Sequence, residues 1–111
     1  MKFTESLKKN TDFRKVYRKG RSKASGVLVL YVLPNGLGIN RLGISVSKKV
    51  GNSVVRHHLT RLVREAYRLH EDSYHLGFDM VCILRTSAAD ASFHQIDSTL
   101  SYLMKYHGLI I

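Results

Sequence analysis

The sequence predicts a single-domain α+β sandwich, and three observations carry that expectation. The chain has 111 residues, which suits one compact domain. Its apolar residues switch from helical spacing to strand alternation and back, so helices and strands are interleaved. No internal repeat, low-complexity tract or Pro/Ser-rich linker divides it, and Pro34 is the only proline. The expected order is helix, two strands with a weaker third beside them, helix, strand, helix, written α-β-β-(β)-α-β-α, with helices covering one sheet face. An apolar content of 44% supports a core that buries roughly two-thirds of the unfolded surface.

Asn10 or Thr11 offers an N-cap for the first helix, whose apolar positions Phe13, Val16 and Tyr17 fall at i, i+3 and i+4, with Gly20 as its stop. Arg21 to Ala24 gives the weaker strand signal. Val27 to Leu33 is a β-branched and aromatic run, Pro34 to Gly38 is turn chemistry, and Leu42, Ile44 and Val46 alternate with Gly43, Ser45 and Ser47. Together these read as a β-hairpin. From Ser53 to His70 an apolar stripe of Val55, Leu59, Leu62, Ala66 and Leu69 marks an amphipathic helix. Phe78 to Leu84, interrupted by one acid at Asp79, reads as a buried strand, and Phe93, Ile96, Leu100, Leu103 and Met104 mark a last helix that ends at Gly108.

The composition bounds the function. A single cysteine, Cys82, rules out an internal disulfide framework and a multi-cysteine zinc site, and fits a reducing compartment. The longest aliphatic and aromatic run, Val27 to Leu33, spans seven residues, against about 20 for a membrane helix. No apolar signal core stands at the N-terminus, so the expectation is a cytoplasmic chain with no membrane partner.

The 18 Lys and Arg against 8 Asp and Glu give a net charge of +10, which favours a polyanionic partner, nucleic acid first. The charge is segregated. Residues 1–23 carry nine positive and two negative charges, residues 41–70 seven and one, and residues 71–111 two and five. A surface that only confers solubility requires no such separation by sign. On the second helix, His57, Arg61, Arg64 and Arg68 share one face at about 100° per residue, opposite Val55, Leu59 and Ala66. Arg suits bidentate phosphate contacts. Ahead of that helix, Ser47-Lys48-Lys49-Val50-Gly51-Asn52 joins a strand end to a helix N-terminus, where free N–H groups favour phosphate.

Side-chain catalysis finds little support. The six histidines form no His-Glu-x-x-His pattern, no Cys-x-x-Cys accompanies them, and the acids do not cluster into a two-metal centre. Cys82, inside an apolar strand, reads as an inert core thiol. From the residues alone two readings stay open: a general RNA-binding or ribosome-associated module, and a nuclease using its own side chains.

The stretch SKKVGNSVVRHHLTRLVREAYR, residues 47–68, resembles the long motif of the bacterial ribonuclease P protein subunit family. The resemblance extends through Leu7-Lys8-Lys9-Asn10, Asp12-Phe13, Val16-Tyr17, Gly20 and Val29-Leu30-Tyr31, nearly the full chain. It implies one RNA-binding domain over residues 1–111, similar in fold to the second domain of a small-subunit ribosomal protein, with a left-handed βαβ crossover against the usual rule. It implies a non-catalytic protein subunit of an endoribonuclease, one copy per catalytic RNA, in a ribonucleoprotein that removes the 5′ leader of precursor tRNA. The RNA carries the chemistry and binds most of the Mg2+, and the protein itself is expected to hold no metal or other cofactor.

By the same resemblance, Lys48, Lys49, Arg56, His57, Arg61, Arg64 and Arg68 bind RNA, and Phe13, Tyr17 and Tyr31 line a cleft for the single-stranded leader, where rings accept bases of any sequence. Without it, Phe13, Val16 and Tyr17 read first as the core face of the helix. The family motif runs Arg-Asn-Arg and then Lys-Arg. Arg56 and Arg61 match it, whereas His57, His58 and Thr60 stand where Asn, Arg and Lys are usual. An imidazole can replace part of that charge only under mildly acidic conditions.

Overall fold

The computed structural model describes residues 1–111. Five strands, β1 (Thr4–Ser6), β2 (Arg21–Ser25), β3 (Leu28–Pro34), β4 (Asn40–Val46) and β5 (Phe78–Leu84), form one sheet in the order β1-β4-β5-β3-β2. Three helices, α1 (Asn10–Lys19), α2 (Ser53–His70) and α3 (Phe93–Tyr106), pack on it. The α+β class and the order of the main elements agree with the sequence reading. The weakly signalled strand is present as β2, antiparallel to β3, and β1 is an addition that no hydrophobic pattern announces.

The expected hairpin is not formed. β3 and β4 are not neighbours, because β5 lies between them, antiparallel to β3 and parallel to β4. The reason lies in β5 itself: Asp79 through Cys82 are buried without alternation, and a strand apolar on both faces must occupy the sheet centre. The connection β4–α2–β5 is therefore a parallel crossover, which the family resemblance called for.

The helices divide between two faces, so the one-face expectation is also corrected. Leu28, Leu30, Val32, Met80, Cys82 and Leu84 point into the main core with Leu59, Val63 and Tyr67 of α2 and Ile96, Leu100, Leu103 and Met104 of α3. Residues of opposite parity, Tyr31, Leu33, Val81 and Ile83, pack instead with Leu7 and with Phe13 and Val16 of α1. The stripe on α2 is rotated from the expected one. Val63 and Tyr67 are fully buried, whereas Leu69 is 52% exposed near the C-terminal end of the helix. Cys82 is fully buried, and burial pushes its thiol up to about 12, which fits an inert core residue.

Local signals explain the ends of α1. Neither Asn10 nor Thr11 caps it: both lie inside the helix, and the cap position is Lys9, with no side-chain hydrogen bond. Gly20 is its C-cap, donating its N–H to the Val16 carbonyl, and only glycine fits there, since a Cβ would stand 2.5 Å from that oxygen. Gly43 lets α1 approach β4 closely, because a Cβ at that position would meet the Phe13 ring at 2.6 Å. The ring is partly buried on the sheet and packs with the Leu7, Val16 and Val81 cluster, so moving it disturbs that packing. Gly43→Ala is therefore expected to lower stability by about 1–3 kcal/mol, read as a drop in the urea midpoint at unchanged slope; an unchanged midpoint would show that α1 shifts without penalty.

Candidate nucleic-acid interface

The basic face begins in the loop between β4 and α2. Val50 is buried and anchors the loop, and the Asn52 side chain caps α2 by accepting from the Val55 N–H at 3.0 Å. Gly51 packs against that residue so closely that a Cβ would lie 2.8 Å from Val55 Cγ1. Lys48 and Lys49 are left exposed at the head of the helix. The first turn of α2 carries no acid, so nothing offsets the positive end of the helix dipole.

Along α2, Arg56, His57, Thr60 and Arg64 join Ser53, Ile44 and Val46 around a groove of about 340 Å3. Arg56 Nε is buried there with no hydrogen-bond partner, a desolvated donor that an anion would satisfy. The Thr60 hydroxyl donates to the Arg56 carbonyl at 2.9 Å, so it is held by its own helix. Arg61 is exposed outside the groove. Lys48, Lys49, Arg56, Arg61 and Arg64 take part in no ion pair, and among the expected cations only Arg68 does, with Glu65 at 2.6 Å. The Arg68 guanidinium holds the Glu65 carboxyl below its usual range.

The three aromatic residues also come together. The Phe13 and Tyr17 rings lie 6.4 Å apart, and Tyr17 meets Tyr31 edge-on at 5.1 Å. Tyr17 remains 38% exposed. Beside it, Asn10, Phe13, Arg14 and Tyr17 line a cleft of about 370 Å3 with Ile44 and Ser45; Tyr31, expected in that lining, stands behind Tyr17 and reaches the cleft only through it. Asn10 and Arg14 are absent from the sequence-derived set. Their signal was available, because they precede Phe13 and Tyr17 at the spacing that shares one helix face.

Both depressions meet at the edge of β4. β1 pairs only with residues Asn40 to Leu42, and Ile44, beyond it, borders the groove and the cleft alike. No group of three or more His, Cys, Asp or Glu stands close enough together to hold a metal ion. Two histidines have structural partners: His70 Nε2 lies 3.0 Å from Asp97 Oδ1, and His107 Nε2 lies 3.1 Å from the Leu30 carbonyl oxygen. No helix is long and apolar enough to cross a membrane.

A family profile described as Ribonuclease P matches residues 1–108. A ribonuclease P protein component of Alkaliphilus oremlandii is 44% identical over 110 residues, covering 99% of this chain and 96% of its own. One of Lachnoclostridium phytofermentans is 50% identical over 107 residues, covering 96% and 92%. Among solved structures, the RNase P protein of Staphylococcus aureus superposes with a TM-score of 0.88 at 37% identity, covering 96% of this chain and 97% of its own. That of Thermotoga maritima gives 0.84 at 31%, covering 92% and 96%.

Two buried carboxylates are fastened by the groups around them. Burial alone would raise the Asp79 carboxyl, but hydrogen bonds from Arg41 and Asn35 outweigh it and hold the group below the usual carboxylate range. Glu71 behaves alike, its burial outweighed by hydrogen bonds from the N-terminal segment, including the Lys2 and Phe3 amides. Both folded values lie below the unfolded ones of about 4, so their stabilisation is present above that pH and is lost as pH falls through the folded values. The thermal midpoint is expected to drop between about pH 5 and 3. Asp79→Asn should be less stable at neutral pH, with the gap to the parent narrowing in acid; a gap constant across that range would remove Asp79 from the account.

Proposed function

The chain belongs to the ribonuclease P protein family, and on that premise we propose that it binds the catalytic RNA and the 5′ leader of precursor tRNA and so supports endonucleolytic removal of the leader. The observation that carries this is the meeting, at the β4 edge, of a basic helix face, unpaired except at Arg68, with an aromatic cleft. Lys48, Lys49, Arg56, His57, Arg61, Arg64 and Arg68 contact RNA phosphates, with Arg68 exchanging Glu65 for phosphate. Phe13, Tyr17 and Tyr31 receive leader bases by stacking, which tolerates any sequence. Arg14 adds a cation for the leader backbone.

The mechanism is electrostatic and positional. Two RNAs approaching each other repel, and a row of cations between them lowers that cost and releases counterions. Hydrolysis stays with the RNA, which also binds the Mg2+ of the holoenzyme. One protein acts per RNA, in the cytoplasm, and the whole chain serves as one RNA-binding domain. Arg56 Nε has no hydrogen-bond partner within the protein, and a phosphate in the groove would supply an acceptor for this guanidinium.

Single-turnover cleavage of a precursor tRNA by a bacterial ribonuclease P RNA is expected to be rescued by this protein at low magnesium. Arg61→Ala combined with Arg64→Ala should weaken the rescue and reduce the slope of log affinity against log salt by about 2. Cleavage and slope unaffected by the pair would mean that the assigned face is wrong, and cleavage by the protein alone would overturn the proposal. Tyr17→Ala should weaken binding of precursor tRNA by about 1–3 kcal/mol while leaving mature tRNA unaffected; equal losses for both would take Tyr17 out of the leader cleft.

A further inference from the structure

We propose that the face formed by α3 and β2, on the side of the sheet opposite the leader cleft, is a second stacking site for single-stranded RNA, built from Tyr102, Tyr106, Lys23, Arg21 and Lys105. It rests on the reading of the chain as an RNA-binding protein, and adds a surface that the leader reading does not use. Its first basis is the pair of rings. Tyr102 and Tyr106 stand one turn apart on α3 and are 50% and 47% exposed, although α3 buries its apolar face through Ile96, Leu100, Leu103 and Met104. Residues at i and i+4 share a helix face, so both rings open to one side.

The second basis is charge. In β2, Arg21 and Lys23 pair directly with Val32 and Leu30 of β3, and directly opposed residues project from the same face. That face is the α3 side, since Leu30 and Val32 belong to the main core. Lys23 Nζ accordingly lies 4.9 Å from the centre of the Tyr106 ring. Lys105 follows Tyr102 by three positions and is exposed. The outward positions of α3 around the rings, Gln95, Ser98 and Thr99, carry no acid, and Asp97 is drawn away to His70. β2 is an outer strand of the sheet, with β3 as its only partner, so nothing of the fold covers the rings from that edge.

Tyr102 and Tyr106 are half-exposed, Tyr106 with Lys23 over its ring and the His107 ring edge-on at 5.3 Å, and rings set among three cations with no carboxylate match a polyanion with planar bases. A strand of RNA can lay bases on the rings and its phosphates along Lys23, Arg21 and Lys105. The separation from the leader cleft is enforced by the sheet: Phe13, Tyr17 and Tyr31 belong to the α1 side, and Tyr102 and Tyr106 to a helix on the other. A single short segment occupies one set or the other.

The test uses the full chain with isotope-labelled tyrosine rings and oligoadenylate as probe, with buried Tyr67 and Tyr74 as internal references. Ring signals of Tyr102 and Tyr106 are expected to shift on titration, and Lys23→Ala with Lys105→Ala should weaken that response roughly tenfold or more while leaving the Tyr17 response intact. Shifts at Tyr17 with Tyr102 and Tyr106 silent would overturn the second site and leave the leader cleft standing. Shifts at Tyr102 and Tyr106 with Tyr17 silent would do the reverse, and silence at all three would overturn both. A Tyr102 and Tyr106 response undiminished by the paired lysine variant would also overturn the site, because the charge argument would then have no consequence.

Discussion

Arg41 and Asp79 face each other across the parallel strands β4 and β5, and the guanidinium grips the carboxylate through Nε at 2.8 Å and Nη2 at 2.6 Å. Asp79 is nearly buried, so its charge is tolerable only with that partner. The pair also gathers its surroundings. Asn35, in the turn after β3, donates to Asp79 Oδ1 at 3.0 Å, and Arg41 reaches Asp12 of α1 at 3.5 Å. One ion pair thus ties β4, β5, the turn after β3 and the start of α1 on the face that carries only one helix. With its first turn held there and Gly43 admitting Phe13 against β4, α1 covers part of the sheet and leaves Tyr17 beside Tyr31 at the rim. The cleft is what a short, pinned helix cannot cover.

Much of this was legible in the sequence, and the losses have physical reasons. α2 and α3 were clear because long amphipathic periods repeat over several turns. Pairing was not legible: β-branched residues say that a segment is a strand and not which strand lies next to it. Turn chemistry from Pro34 to Gly38 fits a hairpin and equally fits a turn that hands the chain past an inserted strand. The clue against a hairpin was the unalternating run in β5, which needs the centre of a sheet. β1 was invisible because Thr4–Ser6 is short and polar, and its place comes from distant partners: the Thr4 hydroxyl at 2.8 Å from that of Tyr67, and Glu71 accepting from the Lys2 amide at 2.9 Å.

For the candidate site, the helical wheel found the cations on α2, and a wheel was enough because one element carries them. It did not show that Arg68 is engaged by Glu65, nor that Arg56 loses water at Nε while Arg61 does not. The first is a contact between neighbouring turns of α2 itself, and the second arises beside β4, whose Ile44 and Val46 line the groove with Arg56. The aromatic cluster needed long-range folding, since Tyr31 lies on β3 and reaches Tyr17 only across the face that α1 covers.

The segregation of charge along the chain has its counterpart in the fold. Acids of the last third act as internal fasteners: Glu71 holds the N-terminal backbone, Asp79 holds Arg41, and Asp97 holds His70. Each is thereby withdrawn from neutralising the exposed cations of α1, the loop before α2 and α2 itself. A chain with a net charge of +10 repels itself in the compact state, and an arrangement that used its acids internally could not relieve that repulsion from within. A bound polyanion can, and because it favours the folded over the unfolded chain it stabilises the fold by mass action. The same disposition of charge that makes the free protein less stable than it could be is what makes association with RNA favourable.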